Sequence, residues 1–200
     1  MTMAEATARF NLYLVRRFFE ARTCGEMMAE LCRAQDQPAT VYGRGESGSV
    51  DERVRKAARL IPSSETVELV RRQLLECRGE IEAHFGISLS GCEEPQFLRY
   101  RVGDFFVAHQ DGNTGLLLSD RELSRKISVV IFLNPQSETP KEGSHGGGSL
   151  VFSEWRPGRS HGKFRFSGEA GTLVAFPSET THEVIPVTEG VRYTIASWYG

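Results

Sequence analysis

Residues 97 to 111 read Phe97-Leu-Arg-Tyr100-Arg-Val-Gly103-Asp-Phe105-Phe-Val-Ala-His109-Gln-Asp111. Two short, apolar and aromatic runs, Gln96 to Val102 and Phe105 to His109, predict consecutive strands. Side chains on an extended segment alternate with period 2, so His109 and Asp111 project to the same side and can reach one metal ion. Two ligands leave most of a coordination sphere open. A third ligand and an anchor for a bound molecule must therefore come from elsewhere in the chain.

Both are supplied near the C-terminus. Between Gly171 and Trp198 the sequence offers a strand, a turn, His182 and a last strand, Arg192-Tyr-Thr-Ile-Ala-Ser-Trp198. Two imidazoles and one carboxylate with open positions form the donor set of non-haem Fe(II) oxygenases, and no cysteine lies close to any of the three. His-x-Asp arises often by chance, but the distant His followed ten residues later by Arg on a strand does not. A 2-oxo dicarboxylate held at the metal by its keto-acid end would leave a second carboxylate free. A guanidinium binds that group through two parallel charge-assisted bonds. Alternation puts Arg192, Thr194, Ala196 and Trp198 on one face, where Thr194 adds a hydroxyl, Ala196 leaves room and Trp198 walls the pocket.

Outward from these stretches the chain reads as helices followed by strands. Residues 10 to 19 predict an entering strand, and Thr23 an N-cap for a helix that aligns Cys24, Met27, Met28, Leu31 and Cys32. Asp36 to Ser49 is Gly-rich and polar, a loop that either connects or covers a substrate. Pro62-Ser63-Ser64-Glu65 opens a second helix with Val67, Val70, Leu74, Cys77 and Ile81 on its apolar stripe and Gly86 as its stop. Further strands are expected over Ile127 to Leu133, Ser149 to Phe152, Thr172 to Phe176 and Val191 to Trp198. This order implies an α+β protein with an antiparallel core. Asn134 to Gly148 reads as a loop in which His145 faces solvent. Arg156, Arg159, Lys163 and Arg165 form a basic segment, either a solvated hairpin or an attractor for an acidic substrate.

Two hundred residues suit one domain, and a net charge of −2 points to no polyanionic partner, so no nucleic acid is expected. No signal-like start and no membrane-length apolar run is present, which makes a cytoplasmic enzyme the expectation. The four cysteines lack zinc or disulfide spacing and read as reduced core residues.

Four segments in order carry a resemblance: Tyr100 to Asp111, Ile127 to Asn134, Gly147 to Phe152, and His182 to Trp198. The chain resembles the prolyl 4-hydroxylase-like branch of the 2-oxoglutarate and Fe(II)-dependent dioxygenases over residues 95–200. Residues 1–94 form a looser N-terminal support region of the same domain. The resemblance implies a double-stranded β-helix, a cupin-like jelly roll with supporting helices on its larger sheet. It implies Fe(II) on His109, Asp111 and His182, 2-oxoglutarate anchored by Arg192 with Tyr100 as a second contact, O2 as co-substrate and ascorbate as an accessory reductant. The implied reaction hydroxylates an unactivated carbon, such as a prolyl residue of a peptide or protein, with succinate and CO2 as co-products. Asp111 fills a position that related halogenases give to a small residue. One departure stands out: related hydroxylases often carry a tyrosine where this chain has Phe132. Three alternatives remain open from the residues: a free amino acid or other small-molecule hydroxylase, a non-redox metal-dependent isomerase on the same scaffold, and a non-catalytic binding module.

Overall fold

Helices and short strands alternate in the first half of the computed structural model and strands fill the second; the structure describes residues 1–40, 49–112, 124–154 and 162–200. Helices α1 (Met3–Phe10), α2 (Ala21–Leu31) and α3 (Ser64–Phe85) are accompanied in the first half by β1 (Tyr13–Val15), β2 (Gln35–Pro38), β3 (Arg55–Lys56) and β4 (Ala58–Ile61). The second half contributes β5 (Gln96–Tyr100), β6 (Phe105–His109), β7 (Ile127–Phe132), β8 (His145–Gly147), β9 (Leu150–Ser153), β10 (Lys163–Phe166), β11 (Leu173–Pro177), β12 (Thr181–Val184), β13 (Val187–Gly190) and β14 (Arg192–Tyr199). A seven-stranded sheet, β1-β11-β7-β14-β5-β4-β2, faces a five-stranded one, β10-β9-β12-β6-β3, and β13 pairs with β8. The ladders are antiparallel, as in a jelly roll.

Strand alternation divides the interior into two cores. On β14, Tyr193, Ile195 and Tyr199 join Cys24, Met27 and Leu31 of α2 and Val70, Leu74 and Ile81 of α3 in a core on the helix side of the large sheet. Between the sheets, Leu98, Tyr100, Phe132, Phe152, Phe166, Phe176 and Val184 form the second core, closed at one end by Ala6 and Phe10 of α1. Helices α2 and α3 therefore stiffen the large sheet, whose strand β14 carries Arg192 and Thr194.

Helix α3 begins and ends where its cap residues dictate. The Ser63 side chain accepts the Thr66 N–H, and Gly86 takes the left-handed conformation (φ 66°) at the C-cap. Replacing Ser63 by Ala is expected to lower stability by about 1 kcal/mol. It should appear as a lower urea midpoint at unchanged slope.

Several local expectations are corrected. Residues 10 to 19 are not one strand: a capping box of Thr2 and Glu5 starts α1, which runs to Phe10, and only Tyr13–Val15 pairs with β11. Helix α2 starts after Glu20, so Thr23 lies within it and caps nothing. All four cysteines are free, but Cys32 is exposed at the C-cap and Cys77 and Cys92 are only half-buried. Gln35–Pro38 is an edge strand on β4 rather than loop. Residues 41–48, the rest of the proposed cover, lie outside the described residues, as do Arg156 and Arg159. Lys163 pairs with Glu183 of β12 at 2.6 Å, reaching across β9, so the sheet order neutralises a charge that is unmatched within its own segment. His145 is not on a solvent-facing loop: it sits in β8 and is 1% exposed.

Candidate functional site

His109 closes β6, and His182 lies directly opposite it on β12. The next matched pair is Val184 with Phe106, a bulge at the rim of the kind that re-aims side chains. Asp111 follows the end of β6, held in a bend where its backbone N–H and that of Gly112 donate to the Ser178 carbonyl at 2.9 and 3.1 Å. His109 Nε2 stands 3.5 Å from Asp111 Oδ1, and His182 Nε2 stands 3.5 Å from Asp111 Oδ2. One ligand atom from each residue falls within 4.8 Å of the others.

The surroundings fix these groups in metal-binding form. His109 Nδ1 donates to the Val107 carbonyl (2.8 Å) and His182 Nδ1 to the Thr180 carbonyl (2.9 Å). In the neutral ring this leaves each Nε2 lone pair facing the cluster, and such backbone bonds orient metal-binding histidines. Asp111 Oδ2 accepts the Ser128 hydroxyl at 2.7 Å, and Ser128 in turn contacts Ser178 at 3.0 Å. Phe106 stacks on His109 with ring centroids 3.6 Å apart, and Phe176 meets His182 edge-on at 4.8 Å.

Burial, with the charge of His109 second, pushes the His182 imidazole down to about 4, against the pull of Asp111. For Asp111, burial alone would raise the carboxyl. The charge of His182 and the hydrogen bond and charge of His109 outweigh it and hold Asp111 below the usual carboxylate range. An ionised carboxylate beside a neutral His182 is the protonation state a divalent cation requires.

Arg192 lies 1% exposed at the start of β14. Nη1 donates to Thr194 Oγ1 at 3.1 Å, while Nε has no hydrogen-bond partner. The guanidinium carbon is 5.0 Å from the Tyr100 ring centroid and 5.4 Å from that of Phe132. Burial pushes the Arg192 pKa down to about 10, so the group stays charged at neutral pH. No carboxylate among the described residues pairs with it. A buried cation in this condition is costly unless an anion arrives. Thr194 accepts from the guanidinium and retains its own O–H to donate.

One cavity of about 160 Å³ joins the two ends of the site, lined by His109, Asp111 and His182 and also by Tyr100, Arg192 and Thr194. The expected face of β14 is present, with Ala196 and Trp198 on the same wall. The Arg125 guanidinium lies 3.9 Å over the Trp198 ring and is bound by Glu93 at 2.5 and 2.9 Å. A hard, neutral-imidazole and carboxylate donor set at one end and an uncompensated guanidinium at the other fit Fe(II) and a dicarboxylic keto acid.

Sequence reading missed Ser128 and Ser178. Ser128 carried a signal, a lone hydroxyl in the apolar strand Ile127–Phe132 on the face toward the site. Ser178 had none, because its contacts to Ser128 and to the Asp111 backbone are made from a loop.

Fold and donor set together define a jelly roll with a two-histidine, one-carboxylate cluster at its rim. A family profile described as the 2OG-Fe(II) oxygenase superfamily matches residues 95–200, and the chain belongs to that superfamily. A PKHD-type hydroxylase of Cupriavidus pinatubonensis is 32% identical over 105 residues, 52% of this chain and 41% of that protein. The match spans about two-fifths of the length of this relative and of a PKHD-type hydroxylase of Stenotrophomonas maltophilia. PKHD-type hydroxylase YbiX of Escherichia coli is 27% identical over 165 residues, 82% of this chain and 68% of the relative. The crystal structure of a Pseudomonas putida prolyl-4-hydroxylase superposes with a TM-score of 0.70 at 23% identity, covering 98% of this chain and 95% of the other, a likeness of fold. Among the described residues, no helix is long and apolar enough to cross a membrane.

Proposed function

We propose that this chain is a 2-oxoglutarate-dependent hydroxylase that acts on an unactivated carbon, with a prolyl residue of a peptide or protein as the substrate class. The observation that carries this reading is the single cavity shared by the His109, Asp111 and His182 cluster and by a buried arginine with no acid partner. His109, Asp111 and His182 would hold Fe(II). Arg192 would take the distal carboxylate of 2-oxoglutarate in a two-bond fork, Thr194 would donate its hydroxyl to the same group, and Tyr100 would pack on the guanidinium. When bound, the iron supplies the oxidative chemistry that couples decarboxylation of 2-oxoglutarate to hydroxylation, giving succinate and CO2.

The chain's own groups do the rest. Ser128 keeps one carboxylate oxygen of Asp111 engaged, so the side chain cannot rotate away from the histidines. Backbone carbonyls hold both imidazoles in the tautomer that presents Nε2. Phe106, Phe176 and Trp198 wall the site with apolar rings, which limits water and strengthens charge interactions inside it. Phe132 offers no hydroxyl, and Thr194 fills that need from the neighbouring strand, where it stands opposite Phe132. A non-redox isomerase would use the metal cluster but would leave Arg192 a buried cation without purpose. Relatives named as PKHD-type hydroxylases and a fold shared with a prolyl-4-hydroxylase support the substrate class.

The test is incubation with Fe(II), 2-oxoglutarate, ascorbate as reductant, labelled dioxygen and a panel of proline-containing peptides. Mass spectrometry should find one labelled oxygen in the peptide and the other in succinate. Succinate without label would overturn the mechanism. Label only in free amino acids supplied in parallel would move the substrate class to small molecules.

A further inference from the structure

Arg192 Nε, a donor, and His145 Nε2 are both buried without hydrogen-bond partners, and the two side chains border Gly148. A Cβ at Gly148 would lie 3.0 Å from Arg192 Cδ and 3.4 Å from His145 Nδ1. A residue without a side chain, here also in the left-handed conformation (φ 67°), lets Arg192 pack against this turn, with His145 in ordinary contact beside it. His145 Nδ1 lies 3.2 Å from the Gly147 carbonyl and must be the donor there. In the neutral ring Nε2 is then an acceptor. Burial first, and the charge of Arg192 second, push the His145 pKa down to about 4, which keeps the ring neutral.

We infer that His145 is a positioning residue for co-substrate recognition: its Nε2 takes the Arg192 Nε–H, directly after a small side-chain rotation or across one water, and so sets the plane of the guanidinium. This rests on the role proposed above for Arg192. A buried arginine is more commonly steadied by a carboxylate, but a carboxylate at position 145 would compete with the incoming anion. Neutral imidazole satisfies the donor and leaves the positive charge uncompensated. Orientation matters because a two-bond fork onto a carboxylate needs a fixed plane. The arrangement places His145, on the two-stranded β8–β13 ribbon, behind a residue of the main sheet.

Calorimetry on the Mn(II)-loaded protein tests this, with 2-oxoglutarate and the monocarboxylic 2-oxobutanoate as probes. His145→Asn keeps an amide near Nδ1, able to bond Gly147, but has no atom at the Nε2 position. His145→Gln reaches that position. His145→Asn is expected to weaken 2-oxoglutarate about tenfold, the loss of one hydrogen bond to a charged group, with 2-oxobutanoate and Mn(II) affinities unchanged. His145→Gln should restore most of the loss, and in an Arg192→Lys background His145→Asn should add little. Unchanged 2-oxoglutarate affinity in His145→Asn, or parallel loss of both keto acids, would overturn the inference while leaving Arg192 as anchor. Should His145→Asn fail to fold, the comparison of His145→Gln with the unmodified protein decides: preserved preference for the dicarboxylate supports the role, and lost preference refutes it. Equal affinity of the unmodified protein for both keto acids would remove the anchor and this inference together.

Discussion

Replacing His182 by alanine is expected to abolish turnover and to weaken divalent-metal binding by well over 100-fold. The comparison is with outer partners of a metal site, whose loss costs about 10- to 100-fold. Ser128→Ala removes only the hydroxyl held by Asp111 and belongs in that smaller range. His182 is buried, faces Asp111 across 3.5 Å and is fixed through the Thr180 carbonyl, and alanine would leave that position without a donor. Mn(II) titration followed by electron paramagnetic resonance ranks the three proteins, with circular dichroism as the check on folding. Metal binding by His182→Ala equal to that of the unmodified chain would remove the cluster from the proposal.

The second large effect has two signs. Arg192→Met substitutes an apolar side chain of similar length for a buried cation that no acid in the described structure balances. In the absence of co-substrate the variant should be as stable as the unmodified protein or more so, by up to a few kcal/mol, as when buried charges give way to well-packed apolar residues. Affinity for 2-oxoglutarate should collapse. Two charge-assisted bonds at about 1.5–3 kcal/mol each put the loss at roughly two to four orders of magnitude. Thermal unfolding with and without 2-oxoglutarate, both in Mn(II), shows the two together: the unmodified protein gains from the ligand by mass action and the variant does not. A strongly destabilised variant that retains the ligand-induced shift would mean that Arg192 is structural.

Much of the site was readable because strand alternation is local. From the order of residues, Arg192, Thr194, Ala196 and Trp198 had to share a face, and they line one cavity wall. The His-x-Asp pair was readable for a slightly different reason than its spacing suggested, because Asp111 lies beyond the strand and Ser178 holds it in place. His145 was misread because a Gly- and Pro-rich segment looks like loop, whereas pairing with β13 turns three of its residues into a buried strand. The first twenty residues were misread because apolar Phe10 to Phe19 outweighed the Thr2 and Glu5 capping signal. Edge strands β2 and β3, and β4 beside β2, were missed since these short runs alternate too weakly to announce a sheet. Nothing in a short polar run reveals that a distant strand awaits it.

His109 and His182 face each other across one ladder of the smaller sheet, which ties two searches that a folding chain must perform. A slip of one residue between β6 and β12 would set Thr181 or Glu183 opposite His109 and turn the imidazole of His182 to the other face. Such a chain could close its barrel yet hold no ion. A divalent ion held by the proposed cluster would therefore stabilise the correctly registered ladder alone, by mass action.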